Sequence, residues 1–247
     1  MTEILPRLAW DNALAAGTLT ASSAAPGHEP RFVADGTLYR TWMPDPAATG
    51  DHWLEVAWPT PRSLTAWCLF GHTAVAEIAA EVWNGAVWVP FAGGPVVPVG
   101  CVYRTAAAPA VATRARFRVQ GPATLRIASL FLGTDLVCAA GLRPGWVDPA
   151  LGQQQQVVPA TSRTGISLPG IVEDEFLEGR LQLPDVPLPW AKQHWLPFKR
   201  HAQTKPFWLR WHDDEAPAFC QGARFDDEAF SRPGLVSVGL TCRMEVA

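Results

Sequence analysis

Two acidic triplets, Asp213-Asp214-Glu215 and Asp226-Asp227-Glu228, and three histidines, His194, His201 and His212, are where this chain could do covalent chemistry. Paired carboxylates are what hydrolysis of a glycosidic bond requires, one as acid and the other as base or nucleophile. Each triplet, however, falls in a predicted turn beside a strand, and neither has the glycine and oxygen-ligand spacing of a calcium loop. They read as solvated turns. The histidines lack HExxH or any other metal-ligand spacing. A nucleophile elbow and a glycine-rich phosphate loop are both missing from the chain. Catalysis therefore has no motif behind it, and the expectation is a protein that binds rather than reacts, with no cofactor.

Binding chemistry has more material. Arg114, Arg116 and Arg118 alternate with Ala115, Phe117 and Val119, so three guanidiniums share one face of a strand. Such a stripe would meet phosphate, an anionic glycan or an acidic neighbouring subunit, or face solvent. The segment Phe207-Trp-Leu-Arg-Trp211 is apolar on both sides of a strand and must be covered on both. Trp208 and Arg210 are of types enriched at interface hot spots, with internal packing the equal alternative. Arg114, Arg116, Arg118, Trp208 and Arg210 form the expected interface set.

The elements that must position these residues are mostly strands. A chain of 247 residues, 48% hydrophobic and 17% charged, has room for one large or two ordinary domains and lies away from disordered compositions. The net charge of −3 gives no bulk attraction to nucleic acid. Cys68, Cys101, Cys138, Cys220 and Cys242 are scattered, without CxxC spacing, and read as small buried hydrophobes in a reducing cytoplasm. The N-terminus lacks the basic start and apolar run of a signal peptide, and no stretch approaches the roughly 18 apolar residues of a membrane span.

Short alternating runs between Gly/Pro turns fill the first 135 residues, as in a sandwich or jelly roll. Asn84-Gly85 between Trp83 and Val87 predicts a tight type I′ hairpin. Residues 139–165, with Pro144, Gly145, Pro149, four glutamines at 153–156 and Pro159, predict a linker or extended arm. Beyond it come a strand near 171–183, a helix near 189–202 that Pro197 should kink or split, and a closing strand over 236–246. The expected fold class is mainly β: an N-terminal β-sandwich over 1–138, the arm, and a second antiparallel β domain over 166–247 with one packed helix.

Residues 34–58 carry a resemblance. Ala-Asp-Gly-Thr-Leu-Tyr-Arg-Thr-Trp-Met-Pro (34–44), then Asp-His-Trp-Leu-Glu-Val-Ala-Trp (51–58), is similar to the opening of discoidin-like, galactose-binding β-sandwiches. Pro61-Arg-Ser-Leu-Thr-Ala-Trp-Cys-Leu-Phe-Gly71 matches that family's next strand, and Leu125-Arg-Ile-Ala-Ser-Leu-Phe-Leu-Gly133 its closing one. The resemblance implies a ligand-bearing loop end, on or near which His28, Arg31, Tyr39, Arg40, Trp42 and His72 would lie. Sugar recognition needs an aromatic face and charged or amide groups, and this set holds both; core packing is the competing role for Trp42 and Trp53. It also implies calcium at Asp35 in some members. The further acidic ligand usual there falls near Ser129, with no carboxylate closer than Asp135, so a purely structural turn is the competing reading.

A second resemblance covers about 80 residues. Leu-Pro-Phe-Lys-Arg-His-Ala-Gln-Thr-Lys-Pro-Phe-Trp-Leu-Arg-Trp (196–211), followed by Gly-Leu-Val-Ser-Val-Gly-Leu (234–240), is similar to tail-tip or baseplate proteins of long-tailed bacteriophages. It implies a structural component of the virion tail tip, made in the host cytoplasm. Such a protein would assemble as a symmetric homo-oligomer with other tail proteins, without membrane insertion, and would meet host-surface carbohydrate through the first domain. The alternatives are a free carbohydrate-binding protein and a polysaccharide-degrading enzyme with a binding module.

Overall fold

The computed structural model describes residues 5–48, 50–122, 124–142, 153–161, 167–211, 217–226 and 228–245. Its chain is mainly antiparallel β, as expected, and its contacts divide it into two compact units.

One unit comprises residues 6–137 together with 206–219. Its strands are β1 (Arg7–Asn12), β2 (Thr18–Ala21), β3 (His52–Thr73), β4 (Glu77–Trp83), β5 (Trp88–Pro90), β6 (Val102–Gln120), β7 (Arg126–Val137) and β10 (Phe207–Arg210). They run in the order β5-β4-β6-β3-β7-β1-β10, with β2 added on β3. The runs expected as separate strands at 53–58 and 61–71 are two halves of β3. Its pairing with β6 shifts register between Ala57 and Arg62, where Pro59 and Pro61 interrupt the ladder. Leu54, Val56 and Trp58 from the first half and Leu64, Trp67 and Leu69 from the second enter one core with Ala115, Phe117 and Val119 of β6. The first half of β3 and residues 115–119 of β6 bury alternate residues, which is the period-two signal realised, whereas Ala66–Leu69 of the second half are all buried.

Two sequence expectations change here. Residues 206–219 belong with the first unit, because β10 pairs with β1 (Leu8↔Leu209, Ala9↔Trp208). Non-local pairing of that kind leaves no mark on composition. The Asn84-Gly85 hairpin is a four-residue connection between Trp83 and Trp88, not a two-residue turn. Asn84 Oδ1 accepts hydrogen bonds from the amides of Ala86 (3.0 Å) and Val87 (2.9 Å), and only Gly85 takes positive φ. The side chain closes the loop locally, so the backbone avoids the strained conformation at Asn84.

The other unit holds the described residues of 138–205 and 220–245. β11 (Ala218–Phe225), β13 (Leu235–Glu245), β9 (Ser167–Pro187) and β8 (Gln153–Thr161) are neighbours in that order, and β12 (Glu228–Arg232) pairs with β13. The glutamine run expected in a linker therefore lies in a strand paired to β9. Glutamine and proline marked the segment as irregular, whereas an edge strand tolerates both. In β13, Val238, Leu240, Cys242 and Met244 are buried. The helix appears as α1 (Leu188–Trp190), a π turn (Ala191–Trp195) and α2 (Leu196–Ala202). Pro197 has no N–H to give and its ring would strike the carbonyl four residues back. The widened turn before α2 absorbs both problems, so the helix is modified rather than broken. Trp195 and Phe198 are buried and pack on Phe225.

Candidate functional site

The segment from His28 to Trp42 is fixed at both ends and exposed between. Pro30 opens a 3-10 turn, Pro30–Ala34, where its missing N–H costs nothing, and Val33 is fully buried. At the other end Trp42 exchanges backbone hydrogen bonds with Ile127 (2.9 and 3.0 Å), and its Nε1 donates to the Ser23 carbonyl at 3.1 Å. The ring has 0% exposure. Trp42 is thus a core residue, and the sugar-stacking role expected of it is corrected: satisfying Nε1 on a backbone carbonyl is what allows so large a side chain inside.

Between these anchors Asp35 closes a turn on itself. Its Oδ1 accepts from the Thr37 amide (2.8 Å) and Thr37 Oγ1 (2.6 Å). Gly36 has φ +77°, and a Cβ there would come within 2.7 Å of Pro206 Cγ, so only glycine fits. Calcium does not suit this donor set. Oδ1 is committed to Thr37, Oδ2 faces the Arg40 guanidinium at 3.7 Å, and Asp135 is held elsewhere by Arg7 (2.9 Å) and Thr65. Ser129 is buried and its Oγ has no hydrogen-bond partner. Among the described residues no group of three or more His, Cys, Asp or Glu could hold a metal.

Arg31, Asp35 and Arg40 meet at an open cleft of about 470 Å³ whose remaining lining is apolar, including Leu14, Leu19 and Phe32. Leu14 is presented by the 3-10 turn Ala13–Ala16, which Trp58 Nε1 holds by donating to the Ala13 carbonyl at 2.8 Å. Gly17 lets this wall close on β3, since a Cβ there would lie 2.4 Å from Val56 Cγ2. The Cζ atoms of Arg31 and Arg40 stand 5.7 and 5.4 Å from the Phe32 ring centroid, and Arg40 also lies 5.5 Å from that of Tyr39. Tyr39 is 79% exposed. The cleft thus gathers Arg31, Asp35 and Arg40 from the expected set, with Tyr39 beside Arg40. Leu14, Leu19 and Phe32 were missed, because apolar residues of alternating or turn-forming segments read simply as core, to which Leu14 also belongs at 1% exposure.

The two histidines of the expected set do other work. His28 Nδ1 is within 2.9 Å of the Thr41 carbonyl, tying the ends of the loop together. His72 Nε2 is 3.0 Å from the Gly100 carbonyl; burial lowers its pKa, partly offset by that carbonyl. Neither histidine lines the cleft.

The expected interface set also divides. Arg114 and Arg116 share the face opposite the buried Ala115 and Phe117, paired with Glu55 and Glu81 and lying over Trp83 and Trp88. Arg118 shares that face, in register with Trp53 and Ala79. Trp208 is only 3% exposed, wedged against Phe131 and Phe219. It is not a free surface, and internal packing claims it because β10 lies beside β1 with an aromatic layer above. Arg210 extends over the Tyr103 ring at 5.2 Å. Of the acidic triplets, Asp213-Asp214-Glu215 lies outside the described residues, as does His212. The Asp226 amide donates to the Gly239 carbonyl at 3.0 Å, at a strand end. All five cysteines are buried, and none is joined in a disulfide.

No family model matches the chain, and no curated protein does. Among solved structures, a chitosan-binding module from a Paenibacillus sp. IK-5 chitosanase/glucanase is 17% identical. It covers 50% of this chain and 98% of its own, with a TM-score of 0.44. A family 32 carbohydrate-binding module of Clostridium perfringens NanJ, in complex with galactose, is 16% identical over 51% of this chain and 98% of its own, with a TM-score of 0.44. Another Clostridium perfringens module, in complex with GalNAc-beta-1,3-galactose, is 13% identical over 48% and 96%, with a TM-score of 0.41. At such values function has to be argued from this chain's own residues.

Proposed function

We propose that this chain binds carbohydrate through the Arg31–Arg40 cleft. The observation that carries the reading is Tyr39, an exposed aromatic side chain against Arg40, whose own guanidinium belongs to a cleft with a charged rim and an apolar wall. Aromatic faces take the apolar side of a sugar ring, and the rim supplies groups for its oxygens. Binding rather than hydrolysis is supported by the lining itself, where Asp35 is the one carboxylate and glycosidic cleavage ordinarily requires two. A glycan array probed with the whole chain tests this. Binding that Tyr39→Ala abolishes while the circular dichroism spectrum stays unchanged is the expected result. No retained glycan, or binding indifferent to Tyr39→Ala, rejects it.

A second reading is assembly in a phage tail tip, resting on the resemblance of residues 196–211 and 234–240. The observation in its favour is β8, which ends the strand order beside β9 and carries no charged residue from Gln153 to Thr161. An uncharged edge strand is a template for pairing with another chain. Sizing and electron microscopy of the purified chain test it: closed oligomers support assembly, and a monomer at all concentrations opposes it.

A further inference from the structure

We infer that the cleft selects anionic saccharides, those bearing a carboxylate or a sulfate ester, over neutral ones; this rests on the glycan-binding reading above. The argument begins with what the lining lacks. Leu14, Ala15, Gly17, Leu19, Phe32 and Ala34 bring no polar side-chain atom, and neither an amide nor a hydroxyl side chain joins them. The side-chain hydrogen-bond donors of the cleft are therefore two guanidiniums. A neutral sugar presents hydroxyls that must both donate and accept, whereas a guanidinium only donates. It is matched by a group that only accepts, and its planar fork fits the two oxygens of a carboxylate or sulfate.

Both guanidiniums are held ready. Each lies near the Phe32 ring, which restricts two otherwise flexible side chains. Neither is saturated by its acidic neighbour. Arg31 gives Nε to Glu29 at 2.6 Å, which leaves both terminal nitrogens, and its side chain is 74% exposed. Arg40 approaches Asp35 at 3.7 Å, beyond hydrogen-bond distance, so its donors have no acceptor among the described residues. With Glu29 beside Arg31 and Asp35 beside Arg40 the formal charge at the cleft is balanced, so the preference rests on the unfilled guanidinium donors and not on an excess of charge.

Calorimetric titration of the full chain with oligomers of neutral galactan, galacturonan and sulfated galactan tests the inference, each at low and at 0.5 M salt (about the range where exposed charge contacts fade). We expect galacturonan or sulfated galactan to bind about tenfold or more tighter than the neutral oligomer. Arg40→Ala should remove the difference and Arg40→Lys should restore only part of it, since an ammonium lacks the fork. Which of the two anionic oligomers prevails identifies the source of the charge. Equal binding of neutral and acidic oligomers, lost on Tyr39→Ala, would overturn selectivity while leaving the glycan site standing. Acidic binding unaffected in the Arg31→Ala/Arg40→Ala double variant also overturns it. Binding of none of the three, together with an empty glycan array, removes both readings.

Discussion

The guanidinium carbon of Arg116 lies 4.5 Å above the centroid of the Trp88 ring, while its Nε holds Glu81 at 2.5 Å. Strands β4, β5 and β6 are thus linked across their outer face by a carboxylate, a planar cation and an indole in sequence. Arg116→Ala should lower stability by about 1–2 kcal/mol, from loss of the cation–ring contact and a partly screened ion pair. A double-mutant cycle with Trp88→Ala, read by urea unfolding, should give a coupling of about 0.5–2 kcal/mol. A coupling of zero would mean that ring and cation are merely adjacent.

Trp42→Ala is expected to act on folding. The side chain has no exposure, so its removal should cost about 3–5 kcal/mol and leave the Ser23 carbonyl without its donor. Trp42→Phe should cost less, keeping most of the volume. Chemical denaturation distinguishes this from a surface role: a Trp42→Ala variant as stable as the parent would show that the ring is not in the core.

These two arginine and tryptophan positions show what was readable in the sequence. Alternation over Arg114–Val119 specified which side chains face inward, because burial of one sheet face is a local, period-two demand. Val238, Leu240, Cys242 and Met244 of β13 were legible for the same reason. The position of β10 beside β1 was not, since the pairing joins residues some two hundred positions apart and leaves no periodic trace. The cleft was half legible. Charged and aromatic residues around the Asp35 turn announced a loop with binding chemistry. Which of them would be used inside depended on acceptors supplied from elsewhere: Ser23 for Trp42, Thr41 for His28, Gly100 for His72.

The cysteines give a pH prediction. Burial pushes the Cys68, Cys101 and Cys138 thiols above their ordinary 9.0 and the Tyr103 phenol above 10.0; for Cys68 and Tyr103 the nearby Asp135 carboxylate adds to the effect. The folded chain keeps these protons while the unfolded chain releases them. Their contribution to stability is therefore complete below the unfolded thiol range and lost as pH rises above about 8.5–9. Unfolding free energy should fall steadily from pH 8.5 to 10. The thiols should resist iodoacetamide at pH 8 until denaturant is added, because attack needs an exposed thiolate. Rapid alkylation of the native chain would contradict the burial.

Gly133 offers a test of how closely β1 lies on β7. The two strands pair Asn12 with Gly133, and a Cβ at residue 133 would stand 2.5 Å from the Asp11 carbonyl oxygen and 3.0 Å from Phe131 Cζ. The oxygen belongs to the backbone of a paired strand and has little room to move, so Gly133→Ala must spread the ladder. Overpacking of this kind costs about 1–3 kcal/mol. Amide exchange should accelerate in β1 more than in β4, which Gly133 does not touch. Gly94→Ala is the control: a Cβ there meets nothing within 4 Å, and the substitution should leave stability within about 0.5 kcal/mol of the parent. Equal stability of the two variants would mean that β1 stands further from β7 than the register requires.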